Sequence, residues 1–197
     1  MAEFYYSSSV TVNTDNYTFS NTAADSYYEI SSSAYLQVSG KNSHVFVAEQ
    51  KGAIIYNAGT VQAGGVGGTA IWFKYANSIW TGTYKPQLLI NGASARVFSF
   101  NGWCVDTGFT NDPSDDAGDG GSGIEVRNVG EINSYVGTAI RGWIGQDTVK
   151  NTGTIVGSIQ LNGGNDTVDN SATITGAVSL GSGNDRLMNT GTITGAV

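Results

Sequence analysis

Three aspartates, Asp147, Asp166 and Asp185, come nearest in type and spacing to residues that could do chemistry. They recur every 19 residues. Two of them sit in glycine-rich turns, Gly163-Gly164-Asn165-Asp166-Thr167-Val168 and Gly181-Ser182-Gly183-Asn184-Asp185-Arg186-Leu187. If each repeat forms one coil of a stack, the carboxylates lie roughly 5 Å apart. Carboxylates that close repel one another unless they are paired, hydrogen-bonded or bridged by a cation. Calcium accepts such carboxylates and carbonyls, so all three aspartates are candidate calcium ligands. The favoured alternative is that each one accepts hydrogen bonds from backbone amides in a tight turn.

The turn around Asp185 resembles the calcium-binding nonapeptide of RTX proteins, Gly-Gly-x-Gly-x-Asp-x-apolar. The RTX roll carries that nonapeptide twice per coil, whereas here it appears once per 19 residues and the glycine frame drifts. A second acidic stretch, 111–123, holds Asp112, Asp115, Asp116 and Asp119. It fails the EF-hand template, because Ala117 falls where a ligand is required, and it reads as a solvated corner loop.

Hydrolytic chemistry finds little support. His44 is the only histidine, Gly120 stands where a nucleophilic serine would be, and no Gly-x-Ser-x-Gly elbow is present. A polysaccharide-degrading β-helix enzyme needs carboxylates and a basic residue on one groove, and Arg141 beside the Asp147 column is the nearest approach. The chain is therefore expected not to be an enzyme. Apart from the candidate calcium, no cofactor is expected. Cys104 is the only cysteine, so no internal disulfide can form, and it reads as a small buried hydrophobe.

The elements that position these residues follow from the period. Asn151, Gly153, Thr154 and Ile155 recur as Asn170, Ala172, Thr173 and Ile174, then as Asn189, Gly191, Thr192 and Ile193. A leucine-rich repeat is a poor fit, because the apolar residues are β-branched and alternate with small polar ones. That alternation marks short strands, and Gly and Asn between them mark turns. Three strand pieces fit in each repeat, which is one coil of a parallel β-helix. The predicted inward columns are Ile155-Ile174-Ile193, Ile140-Ile159-Val178-Val197, Val149-Val168-Leu187 and Leu161-Leu180. Asn151, Asn170 and Asn189 are expected to stack at a corner, with their amides bonding along the column.

Residues 128–197 form the regular section. Residues 51–127 read as irregular coils with corner insertions, the main ones at 74–86 and 111–123. Asn57, Gly59 and Val61 match the repeat opening, and Gly68, Ala70 and Ile71 match Gly137, Ala139 and Ile140. Residues 1–50 carry Tyr5, Tyr6, Tyr17, Tyr27, Tyr28 and Tyr35 and read as an N-terminal cap with first strands, so the solenoid is expected to begin near residue 35–50. The tyrosines are expected to serve cap and core rather than a sugar-binding face. Only 13% of the 197 residues are charged and the net charge is −7, which argues against nucleic acid and against charge-driven binding to anionic lipid. No apolar run approaches a membrane span, so no direct insertion is expected. The opening Met1-Ala2-Glu3-Phe4 is not a secretory signal, and Val197 falls in mid-repeat; the expectation is an N-terminal piece of a longer repeat protein.

The pattern Asn-x-Gly-x-Ile followed by Gly-x-Asp-x-Val-x-Asn resembles the passenger region of bacterial autotransporters, the type V secreted adhesin-like proteins. The resemblance covers residues 128–197 and, in part, 52–73. It implies an all-β, right-handed parallel β-helix that is secreted or held at the bacterial cell surface, outside the outer membrane. The implied function is adhesion, virulence-related host interaction or self-association, with a host-cell or matrix protein, a glycan or a second copy as partner. The alternatives are a calcium-stabilised RTX-like extracellular module and, third, a polysaccharide-degrading β-helix.

Overall fold

The computed structural model describes residues 3–12, 18–21, 26–48, 52–73, 87–107 and 123–197. Among them there is no helix, and every strand pairing is parallel. The chain winds through three faces per coil. The first face is an eight-stranded sheet of Glu3–Tyr6, Tyr27–Ile30, Ile54–Asn57, Gln87–Asn91, Ile124–Asn128, Thr148–Asn151, Thr167–Asn170 and Arg186–Asn189, each lying on the one before. The other two faces belong to a second, curled sheet, joined where Glu131–Arg141 and Thr154–Gln160 run through both. This is an all-β stack of coils with solenoid form. Seven spacings of strand over strand give it a length of roughly 34 Å.

Strands form here because β-branched residues alternate with polar ones, and alternate side chains point to opposite sides of a strand. The inward sides build continuous columns. On the first face Phe4, Tyr28, Ile55, Leu89, Val126, Val149, Val168 and Leu187 stack in register. On the second face Val10, Leu36, Val61, Val97, Ile132, Ile155, Ile174 and Ile193 do the same. On the third, Phe46, Ile71, Val105, Ile140, Ile159 and Val178 stack. The expected pairings Ile155-Ile174-Ile193, Val149-Val168-Leu187 and Ile140-Ile159-Val178 are therefore observed.

Coil stacking starts earlier than the sequence pattern suggested. Glu3–Tyr6 already lies in register on Tyr27–Ile30, so the same winding operates where no 19-residue period is visible. Aromatic rings fill the wider first coils. Tyr28 is buried, stacks on Phe4 with ring centroids 5.2 Å apart and meets Phe46 edge-on at 4.9 Å. Tyr6 also meets Phe46 edge-on at 5.9 Å. Tyr5, by contrast, is exposed. Tyr17 and the insertion 74–86 lie outside the described residues, as does the acidic stretch 111–123 except for Gly123.

A column of buried amides runs along one corner. Asn57, Asn91, Asn128, Asn151, Asn170 and Asn189 each end a strand of the first face. Each Nδ2 donates to the Oδ1 of the next asparagine, at 2.9, 2.8, 2.8, 2.7 and 2.7 Å in turn. The second Nδ2 hydrogen reaches a backbone carbonyl of the neighbouring coil, Thr154 in the case of Asn128 at 3.1 Å. None of these six has a positive φ; that conformation belongs to Asn42 and Asn162. The corner therefore uses asparagine for its amide and not for left-handed backbone. At the same position the two preceding coils carry Tyr6 and Ile30.

The alternation and the column give measurable consequences. Ile155→Ala should lower unfolding free energy by about 2–5 kcal/mol, through lost burial and the cavity left behind. Its outward neighbour Thr154→Ala should stay within about 0.5 kcal/mol. Asn128→Ala removes the acceptor of one Asn91 Nδ2 hydrogen and one of the two donors to Asn151 Oδ1, and should cost about 1–3 kcal/mol. Chemical denaturation of the three variants measures all of this.

Candidate functional site

The three aspartates do form a column, one coil apart, at the turn that leads into the first face. Asp147 and Asp166 are buried and Asp185 is half-buried. Each carboxylate is used along the axis. The Ile124 N–H donates to Asp147 Oδ1 at 2.8 Å, the Asp147 N–H donates to Asp166 Oδ1 at 2.8 Å, and the Asp166 N–H donates to Asp185 Oδ1 at 2.9 Å. The aspartate thus satisfies an amide of the coil before it, one that the turn would otherwise bury unpaired. These bonds link each turn to the coil before it.

The other oxygens tell a different story. Oδ2 of Asp147 and Oδ2 of Asp166 are buried and have no hydrogen-bond partner. Asp147 Oδ2 faces Gly142, where an added Cβ would collide with the carboxylate. Burial raises the pKa of Asp147 well above the ordinary carboxylate value, and the nearby charge of Asp166 adds to it. Burial raises Asp166 to about 6; the Asp147 N–H opposes the shift and the Asp185 charge supports it. No group of three or more His, Cys, Asp or Glu side chains placed to hold a metal occurs among the described residues.

Arg141 does not join the aspartate column. Its Nε and Nη2 donate to Asp106 Oδ1 and Oδ2 at 2.7 Å each, in a bidentate pair, and its guanidinium lies 3.6 Å from the centroid of the Trp103 ring. Asp106 is 35 residues away in sequence, and its side chain is only 4% exposed. The carboxylate-plus-base grouping expected of a glycan-cleaving site is thus replaced by a closed ion pair under an indole. His44 packs against Trp72 with ring centroids 4.6 Å apart, and burial lowers its pKa while Asp106 raises it. Cys104 is fully buried, and burial pushes its thiol far above the ordinary value.

On the outside, the second face carries rows of residues in register. Thr154, Thr173 and Thr192 form one exposed row. Arg96 and Glu131 pair at 3.5 Å in another, beside an open corner cleft of about 470 Å³ that Ser94, Val129 and Thr154 also line.

The raised carboxyls set a pH dependence. Between the unfolded value near 4 and about 6 for Asp166, the folded state holds more protons than the unfolded state. Stability is therefore fullest below about pH 4 and falls as pH rises through the folded value. The melting temperature should drop across pH 4 to 7. Asp166→Asn keeps the oxygen that accepts the Asp147 N–H and removes the buried charge. It should flatten part of that slope and raise the melting temperature at pH 7, as thermal melts across pH will show.

Compared with protein-family models, with curated proteins and with solved structures, the chain matches none.

Proposed function

We propose that this chain is a length of right-handed β-helix from a secreted or surface-displayed bacterial protein of the autotransporter passenger type. It acts as a rigid recognition scaffold for adhesion, host contact or self-association. Residues 1–50 serve it as the cap of the first coils. The observation that carries the reading is the unbroken coil-over-coil pairing from Glu3 to Ile193, which presents outward side chains in rows held at strand spacing. A scaffold of that kind positions recognition residues without further ordering cost on binding. Arg141, Asp106 and Cys104 are committed to internal contacts, which favours binding over turnover. The partner is a host-cell or matrix protein, a glycan or a second copy of the chain.

A second reading keeps calcium. The inward Oδ2 atoms of Asp147 and Asp166, buried and unpartnered, are the observation in its favour, with Asp185 next along the column. In that reading the chain is an RTX-like extracellular module stabilised by calcium.

The purified chain should adhere to mammalian cells or immobilised matrix in a saturable way, and should release no reducing ends or unsaturated sugars from a polysaccharide panel. Absence of adhesion to every surface tested would remove the scaffold reading, and sugar release would favour the polysaccharide-degrading alternative. Calcium should leave the melting temperature unchanged relative to chelator; a rise of several degrees that Asp166→Asn abolishes would favour the second reading instead.

A further inference from the structure

Two neighbouring strands of the second face carry a strip unlike the rest of the surface. Arg96, Phe98 and Phe100 alternate outward on one coil, and Glu131, Asn133 and Tyr135 alternate on the next. Arg96 lies over Glu131, and Phe98 lies over Asn133. The rings of Phe100 and Tyr135 stack with centroids 4.8 Å apart and planes 4° from parallel. Phe98 sits 6.4 Å from Tyr135, and the Arg96 guanidinium lies 5.6 Å from the Phe98 ring. Asn133 Nδ2 donates to Glu131 Oε1 at 3.0 Å. Aromatic and polar groups are thus held against one another before any ligand arrives.

The strip is open. Phe100, Val129, Tyr135 and Val136 are 38, 47, 59 and 71% exposed, and they are four of the seven exposed large hydrophobic residues among the described residues. The other three, Tyr5, Val66 and Val197, are scattered along the chain. The openness comes from a bulge. Asn133 pairs with Val156 and Thr138 with Ser158, so Ser134–Gly137 face only Gly157 on the following coil. Phe100 backs Tyr135 on one side, and on the other the next coil supplies no side chain of comparable size. A Cβ built on Gly137 would meet nothing within 4 Å.

We infer that this strip is a saccharide-binding platform that takes a neutral oligosaccharide, with one pyranose ring laid against Tyr135. The inference rests on the scaffold reading above and names its ligand class. The C–H face of a pyranose is weakly positive and matches the negative face of an aromatic ring, while its hydroxyls need donors and acceptors at the edge. Tyr135 and Phe100 supply the rings, and Asn133, Glu131 and Arg96 supply the polar edge. From residue 96 to residue 100 the strand covers roughly 13 Å, enough for two or three sugar units. Beyond Arg96 the strip opens into the corner cleft, whose volume of about 470 Å³ lies within the roughly 300–1,000 Å³ of small-ligand sites. Arg96 and Glu131 offset each other, which suits a neutral sugar better than a sulfated one.

The test is titration calorimetry of the full chain with cellotetraose, chitotetraose and mannotetraose, with a heparin tetrasaccharide as the anionic control. At least one neutral tetrasaccharide should bind. Tyr135→Ala and Phe100→Ala should each weaken it by about five-fold or more, the scale of a lost aromatic contact, whereas Tyr135→Phe should stay within about two-fold. Tyr135 is exposed, so Tyr135→Phe should keep the wild-type melting temperature, and Tyr135→Ala should lower it only by the loss of one surface ring stack, with the fold intact. Failure of all three neutral sugars, preference for heparin, or unchanged affinity in Tyr135→Ala would overturn the platform. Cell adhesion that survives both Tyr135→Ala and enzymatic removal of cell-surface glycans would overturn it too, while leaving the scaffold reading intact. Loss of all adhesion by the wild-type chain would end the scaffold reading itself.

Discussion

The backbone groups of each coil find most of their partners on the coil above or below, and the rest of this structure depends on that demand. A parallel strand cannot close on a short hairpin, so its ladder is completed only by the next turn of the chain. The corners, where the backbone leaves the ladder, are the weak points. Here they are closed along the axis. Asn57 to Asn189 pass one amide hydrogen bond from coil to coil, and Asp147, Asp166 and Asp185 pass a carboxylate to the amide of the coil before. The alignment of coils is set by these polar columns as much as by the isoleucines between them, because a slipped coil would leave several buried donors unpaired at once.

That arrangement tolerates large changes in coil length. Successive ladder asparagines are separated by 34, 37, 23, 19 and 19 residues, yet the hydrogen bond between them stays between 2.7 and 2.9 Å. In sequence the long coils gain residues at 74–86 and 108–122, between a strand of the third face and the next strand of the first, and the described strands on either side keep the column register. The exception is the bulge at Ser134–Gly137, between the second and third faces. It leaves the inward Ile132 and Ile140 in place and alters only the outer surface.

Core and surface occupy opposite sides of the same strands. Asp147 and Asp166 accept backbone amides of the coil before, while Arg141 closes on Asp106 on the outer side of the third face. The outer side is left to vary. A row of threonines on the late coils gives way to an arginine-glutamate pair and stacked rings where the bulge opens the surface. A rigid stack with a variable exterior suits recognition, since the groups that contact a partner are ordered before it arrives.

The sequence by itself determined the winding of the regular section. A fixed lag of 19 residues brings Ile155, Ile174 and Ile193 together, stacks Asn151, Asn170 and Asn189, and aligns the three aspartates. Asn57 was legible as a repeat opening and Ile71 as a match for Ile140, because short motifs around them survive. Asn91 carries no constant lag to its counterparts, since it stands 34 residues from Asn57 and 37 from Asn128. Only the tertiary structure decided which residues meet across coils of unequal length. Arg141 meets Asp106 and Tyr135 stacks on Phe100 because of where the insertions and the bulge leave the ladder. Strand alternation tells which residues point outward, but the partner beside each one is set by the length of the chain's path around the coil.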